Sequence, residues 1–270
     1  MTLWQAILLG ILQGATEFLP ISSSGHLVIV PHLLGWPDPG LVLDTMLHMG
    51  TLLAVVVYFW AELWRLVKAA VVSLRRHSLS DPQARIAWGI AVATIPGAVG
   101  GFLLEDTFER LFGMPRAAAA FLLGTAALLV LAEYVGSRVR PVTSLSWIDA
   151  ILIGVAQTLA IAPGISRSGS TISAAVLLGF RREDATQFSF LLGVPIILGT
   201  GLYQLLKLLM GTTGTASLEI RIVVAGVVAS ALAGYLAIAG LLALVRRRGL
   251  YIFAAYCAVF GLLVLSGVLG

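Results

Sequence analysis

Charge is what this sequence has least of. Only 11% of its 270 residues are Asp, Glu, Lys or Arg, against 59% hydrophobic, where a soluble domain carries about 25% charged residues. With a mean hydropathy of +1.00, that scarcity excludes a soluble globular domain and predicts an integral membrane protein. Cysteine is nearly absent too. Cys257 stands alone in an apolar run, so no internal disulfide can form and a buried, inert thiol is expected. The opening residues, Met1-Thr2-Leu3-Trp4-Gln5, lack the basic cluster of a signal peptide and are read as structure. No long polar tail interrupts the apolar runs, and one membrane domain over 1–270 is expected. The formal net charge of +4 is small; no nucleic-acid partner is expected.

What polarity there is concentrates in two stretches. Gln13 to His26 reads Gln-Gly-Ala-Thr-Glu-Phe-Leu-Pro-Ile-Ser-Ser-Ser-Gly-His, and Pro163 to Thr171 reads Pro-Gly-Ile-Ser-Arg-Ser-Gly-Ser-Thr. Ionisable groups inside hydrophobic segments are costly and mark functional sites by default, so the two stretches are expected to meet in one site. They are also related to each other. A shift of 144 residues aligns 4–26 with 148–170 and matches nine of 23 positions, among them Gln13 with Gln157, Ser22 with Ser166 and Gly25 with Gly169. The chain therefore reads as two related halves, about 1–141 and 142–270.

Each half opens with two apolar pieces too short to cross a ~30 Å core: 3–13 and 23–34 around Pro20, then 147–160 and 168–179 around Pro163-Gly164. Short arms around a polar break predict re-entrant hairpins, which are tolerated when buried in protein. Three longer segments follow in each half, about 42–64, 85–104 and 116–136, then 188–209, 221–243 and 250–268. A hairpin returns to its own side and three spans end on the other, so the halves should be inverted. The fold class expected is an all-α polytopic membrane protein of two inverted-topology repeats. On that topology Arg65, Lys68, Arg75, Arg76, Arg85, Arg138, Arg140, Arg181, Arg182, Arg246, Arg247 and Arg248 lie on the side opposite the N-terminus. Arg110, Arg116, Lys207 and Arg221 lie on the N-terminal side. Twelve against four makes the first side cytoplasmic. The six Trp residues fall near segment ends, as interfacial anchors do, and Pro96 and Pro195 are expected to kink packed spans.

Gln13 and Glu17 are four apart and share a helix face. Glu17 reads as a metal ligand, a general acid or base, or a partner for Arg167. Ser22, Ser23 and Ser24 precede an apolar arm as N-caps, and a helix N-terminus is also an anion site. His26, in the first turn of that arm, is a candidate for catalysis. Arg167 cannot shed its charge, so burial demands an anion beside it. With Ser166, Ser168, Ser170 and Thr171 around it, it describes a phosphate cradle; an Arg167–Glu17 ion pair is the purely structural alternative. The repeat places Ile161 opposite Glu17, Arg167 opposite Ser23 and Ser170 opposite His26. One hairpin carries the reactive groups and the other the anion clamp.

These residues resemble the bacitracin-resistance type of undecaprenyl-diphosphate phosphatase, whose (E/Q)-x-x-x-E motif reads Gln13-Gly-Ala-Thr-Glu17 here. Its P-G-x-S-R-S-x-x-T motif reads Pro163-Gly-Ile-Ser166-Arg167-Ser168-Gly-Ser-Thr171, and Ser22-Ser23-Ser24-Gly25-His26 matches as well. Many members have Glu where this chain has Gln13, which places the carboxylate role on Glu17. The resemblance implies hydrolysis of undecaprenyl diphosphate to undecaprenyl phosphate in the bacterial inner membrane, on its outer side, recycling the lipid carrier of cell-wall synthesis and conferring bacitracin resistance. It also implies a divalent cation, Mg²⁺ or Ca²⁺, on Glu17 with Gln13 as a further candidate ligand. In this scheme Arg167 binds phosphate, Ser23 or a metal-bound water attacks with His26 as base, and direct attack by His26 competes. Membrane lipids are the expected surroundings; homo-oligomerisation stays open. A secondary transporter or lipid flippase for an anionic lipid is the rival, since broken helices around a midplane anion site suit it equally. Ser23 and His26 beside Glu17 are what transport does not need.

Overall fold

The computed structural model describes residues 1–104, 110–111, 113–210 and 219–268. Among these the chain forms eleven α-helices and a short 3₁₀ turn, with no strand beyond an isolated bridge between Arg140 and Phe180. The first two helices, α1 (Leu3–Phe18) and α2 (Ser23–Leu33), pack together around a polar turn. Helix α1 begins at a capping box in which Gln5 N–H donates to Thr2 Oγ1 (3.3 Å) and Thr2 N–H donates to Gln5 Oε1 (2.8 Å). It stops at Leu19, which turns extended because the residue before a proline is pushed out of the helical region. At ~1.5 Å per residue α1 is about 24 Å long and α2 about 17 Å, both short of the ~30 Å core.

Next come α3 (Gly40–Tyr58), α4 (Trp60–Arg76), α5 (Pro82–Leu103) and α6 (Pro115–Val135). The single span expected over 42–64 is instead broken at Phe59. The chain bends by 80° at Phe59, and α4 sets Arg65, Lys68, Arg75 and Arg76 on a helix with exposed Trp60 and Trp64. That is the make-up of a helix lying in the interface rather than crossing it. The second half repeats the opening: α7 (Trp147–Leu159) and α8 (Arg167–Leu177) form the second short pair, capped by Ser146 and Ser166. Then follow α9 (Arg182–Leu209), α10 (Ile220–Val245) and α11 (Tyr251–Leu265). Helices α5, α6, α9 and α10 are long and apolar enough to cross a membrane, α9 and α5 with Pro195 and Pro96 in their interiors.

Each short pair rests on a long helix of the other half. Helix α1 lies along α10, and a Cβ at Gly10 would stand 2.3 Å from the Gly226 carbonyl oxygen. Helix α7 lies along α5, where a Cβ at Gly154 would stand 2.4 Å from the Ala93 oxygen. Gly10 and Gly154 are equivalent positions of the repeat. Small residues let helix backbones touch where lipid offers no hydrophobic drive to association.

Away from the hairpin tips, carboxylates organise the basic residues. Buried Glu133 of α6 accepts from Arg138 (2.9 Å), from Arg182 Nε and Nη2 (2.6 and 2.5 Å) and from Leu250 N–H (2.9 Å), joining α6, α9 and the start of α11. Asp149 accepts from Arg140 (2.8 Å), whose guanidinium lies 4.5 Å from the Phe180 ring centre. Arg138, Arg140 and Arg182 therefore hold neighbouring elements together.

A valine at Gly154 should destabilise the protein by about 3 kcal/mol or more, since its clash is with backbone. The same change at Gly124, which has open space around it, should be neutral. Thermal unfolding of both variants in detergent checks the pair; equal midpoints would refute the contact.

Candidate active site

The two turns touch. Ser22 caps α2 at φ 70°, a left-handed conformation unusual for a residue with a side chain. Its Oγ accepts from Gly25 N–H in its own hairpin and from Gly164 N–H in the other, each at 3.2 Å. In return Ser168 Oγ donates to the Leu19 carbonyl (3.1 Å). A strained serine persists when its surroundings over-determine it, and here its hydroxyl joins the two halves. Gly164, at φ +101°, leaves no room for a side chain against the Ala118 oxygen. Thr125 of α6 fixes that tip from outside: its hydroxyl donates to Gly164 O and accepts from Ser166 N–H, both at 2.9 Å.

Glu17 ends α1 just before the break and is 7% exposed. Its Oε2 accepts from Ser23 Oγ (2.5 Å) and Gln13 Nε2 (3.1 Å), and its Oε1 from Arg167 Nη2 (3.2 Å). Arg167 also donates to the Ser189 carbonyl (3.1 Å) on α9. It lies over Gly193, where a Cβ would stand 2.5 Å from Nη1. The structure thus brings Glu17, Ser23 and Arg167 into one chain of bonds. Ser23 opens α2 and Arg167 opens α8, so two helix N-termini, each carrying about half a positive charge, meet at this spot.

A cavity of about 1240 Å³ opens there, with Glu17, Ser22, Ser23, Ser24, Ser166 and Arg167 in its wall. Apolar residues of α2, α5 and α9 make up much of the remainder, Leu27, Phe102 and Ile196 among them. Ser168, Ser170 and Thr171 stand behind this wall. Ser168 binds Leu19, Thr171 Oγ1 pairs with Ser189 Oγ (2.6 Å), and the buried Ser170 hydroxyl has no protein partner.

His26 lies elsewhere than expected. It is 1% exposed, outside the cavity wall, and stacked against Tyr256 and Phe260 of α11 at 5.6 and 5.0 Å. Nδ1 is 2.7 Å from the Ser22 carbonyl; a carbonyl only accepts, so Nδ1 carries the proton. Nε2 then accepts from the Tyr256 hydroxyl at 2.7 Å. Helix α2 thus presents the imidazole to α11.

The imidazole beside Glu17 in the cavity belongs to His48 of α3. Its Nε2 is 3.6 Å from Glu17 Oε2 and its Nδ1 donates to the Asp44 carbonyl at 2.9 Å. Asp44 and His48 both line the cavity, and sequence reading passed over both. The signal was present, since an Asp and a His four apart in the apolar run 42–64 are as costly there as Glu17 is in its own segment.

Residues 6–263 match the profile of the family described as Bacitracin resistance protein BacA. Curated relatives named undecaprenyl-diphosphatase include those of Thermomicrobium roseum, 42% identical over 273 residues and 98% of each chain, and Desulforudis audaxviator, 44% identical over 262 residues, covering 97% of this chain and 96% of the relative. That of Geobacter sulfurreducens is 43% identical over 267 residues and 98% of each chain. The chain belongs to the BacA family.

The oxygen donors in the cavity raise the question of a cation. Hard divalent ions take oxygen ligands, and Mg²⁺ commonly uses one or two carboxylates with substrate phosphates and water. Glu17 and Asp44 supply carboxylates, and the buried Gln13 Oε1 is an amide oxygen with no protein partner. Among the described residues no group of three or more His, Cys, Asp or Glu could hold a metal alone. These are oxygen donors of the kind such an ion takes, with phosphate and water left to complete its shell.

Thr125→Val leaves Ser166 N–H and Gly164 C=O buried without their partner and should lower stability by about 1–3 kcal/mol at unchanged helix content. Denaturant titration in micelles with circular dichroism reads both quantities; an unaltered midpoint would show that the tip is held by something else.

Proposed function

We propose that this chain is an integral membrane phosphatase that hydrolyses undecaprenyl diphosphate to undecaprenyl phosphate and inorganic phosphate. The observation that carries it is the bond chain Ser23–Glu17–Arg167 at two facing helix N-termini, inside a cavity whose remaining walls are largely apolar. A polyprenyl diphosphate has that same division between a multiply charged head and a hydrocarbon tail. The shared family and the relatives' name supply the substrate. The reaction would regenerate the lipid carrier used in cell-wall synthesis.

In this reading Arg167 grips the terminal phosphate with its planar fork, and the N-terminal amides of α2 and α8 face the same oxygens. Ser23 Oγ attacks the terminal phosphorus as its proton passes to Glu17 Oε2, 2.5 Å away. The bond to the bridging oxygen breaks, and Glu17 returns the proton to the departing lipid phosphate. Water then attacks the phosphoserine, giving a proton to Glu17; the bond from phosphorus to Ser23 Oγ breaks, Glu17 returns the proton to that oxygen, and inorganic phosphate leaves with serine and carboxylate restored. Stabilising charge on the phosphoryl oxygens is the main lever in such transfers. A divalent cation, Mg²⁺ or Ca²⁺, held by Glu17 and Asp44 would add positive charge there. The base role expected of His26 passes to Glu17, and His26 holds the Ser22 carbonyl instead.

The protein's membrane character is plain from its apolar helices. For its orientation we adopt the inverted arrangement of the two halves, with the bacterial plasma membrane as location. The twelve-to-four distribution of basic residues supports a cytoplasmic end at Arg246. The cavity wall includes Trp36 and Asp38 between α2 and α3, Gly40 at the start of α3, and Gly113 and Pro115 at the start of α6. On the adopted arrangement those turns would fall on the opposite side, which supports a cavity open to the outside.

Arg167→Lys should lower kcat/KM at least a hundredfold, because a point charge does not reproduce a bidentate fork. Phosphate release from a polyprenyl diphosphate in detergent measures it, and a transporter would release none in that assay. Rapid quench followed by mass mapping should find phosphate on Ser23. Full activity in Ser23→Ala would overturn the serine as nucleophile.

A further inference from the structure

Gln157 stands in the last turn of α7 and is 3% exposed, and neither atom of its amide bonds to protein. It nevertheless lines the large cavity. Its counterpart in the repeat, Gln13, spends its amide N–H on Glu17, whereas the position equivalent to Glu17 in the second hairpin is Ile161. Gln157 thus keeps an amide that its own hairpin does not use. Buried amides without partners are rare and costly, and leucine would fill the same space without that cost.

The neighbouring helix makes room for it. A Cβ at Gly97 of α5 would come within 2.8 Å of Gln157 Nε2. Gly97, Ala98, Gly101 and Phe102 belong to one face of α5, and all four line the cavity. This face is a trough of small and apolar residues fit for a hydrocarbon chain. The amide of Gln157 is at its inner end, where the apolar wall meets the hairpin that carries Arg167.

We infer that Gln157 is a specificity-determining ligand for the lipid-linked phosphate of the substrate. Its Nε2–H donates to that phosphate while Arg167 and Ser23 engage the terminal one, so that a diphosphate satisfies both subsites and inorganic phosphate only one. This inference rests on the phosphatase reading above.

The test is steady-state phosphate release from farnesyl diphosphate in detergent by the wild type and by Gln157→Leu, with inhibition by inorganic phosphate and thermal unfolding of both. Loss of one hydrogen bond to a charged group should raise KM for the diphosphate about tenfold. The inhibition constant of inorganic phosphate should stay the same, and the unfolding midpoint should hold or rise, because the variant sheds an unbonded buried amide. An unchanged KM, or a fall in midpoint together with an equal loss of phosphate inhibition, overturns the assignment and leaves Gln157 a packing residue. If the wild type itself releases no phosphate, it is the phosphatase reading that fails, and this inference with it.

Discussion

The fold is arranged around one ion pair, Glu17 with Arg167, held 3.2 Å apart where the two hairpin turns meet. Arginine stays charged under any condition a protein meets, and an unpaired charge in a hydrocarbon core is among the most expensive groups a membrane protein can carry. The pair comes from residues 150 positions apart, so it forms only if both halves fold and dock. Across the same junction Ser22 Oγ accepts from Gly164 N–H and Ser168 Oγ donates to the Leu19 carbonyl, so backbone and charge are satisfied together. Irregular chain at membrane depth is tolerable on that condition.

Docking of this kind demands close approach, and the glycines provide it by symmetry. Gly10 and Gly154 occupy equivalent positions and each lets a short arm lie against a long helix of the opposite half. The two halves are therefore interlocked rather than merely adjacent. Glu133, gripped by Arg138, Arg182 and the Leu250 amide, joins three further helices at a second buried carboxylate. Between these fixed points the cavity can be large, because its walls do not have to hold the hairpins in place.

Much of this was legible in the sequence because cost leaves a signature. Polar residues in apolar segments located both turns, and the repeat identified which hairpin carries Glu17 and which carries Arg167. The signature tells where a polar group is but not which way it faces. His26 was assigned to the site by proximity in sequence, yet it falls on the side of α2 that meets Tyr256 and Phe260, three side chains whose stacking no spacing rule reveals. His48 arrives from α3, a helix read only as a span. The bend at Phe59 was hidden for a related reason: the apolar run continues through Trp60 and Trp64, and composition does not distinguish crossing the membrane from lying along it.

The ion pair also bears on when chemistry can occur. Glu17 is the hydrogen-bond acceptor of Ser23 and the counter-ion of Arg167 at once. If it took the serine proton with nothing else beside the guanidinium, a bare positive charge would remain in a low-dielectric site, where such a charge interacts most strongly and is least solvated. A phosphate on Arg167 removes that obstacle by taking over the role of counter-ion. Proton transfer from Ser23 then leaves the site no worse balanced than before. On the proposed mechanism the carboxylate that holds the hairpins together would therefore become a base only once the anion to be cleaved is in place, and the arginine proposed to bind that anion would enforce the order.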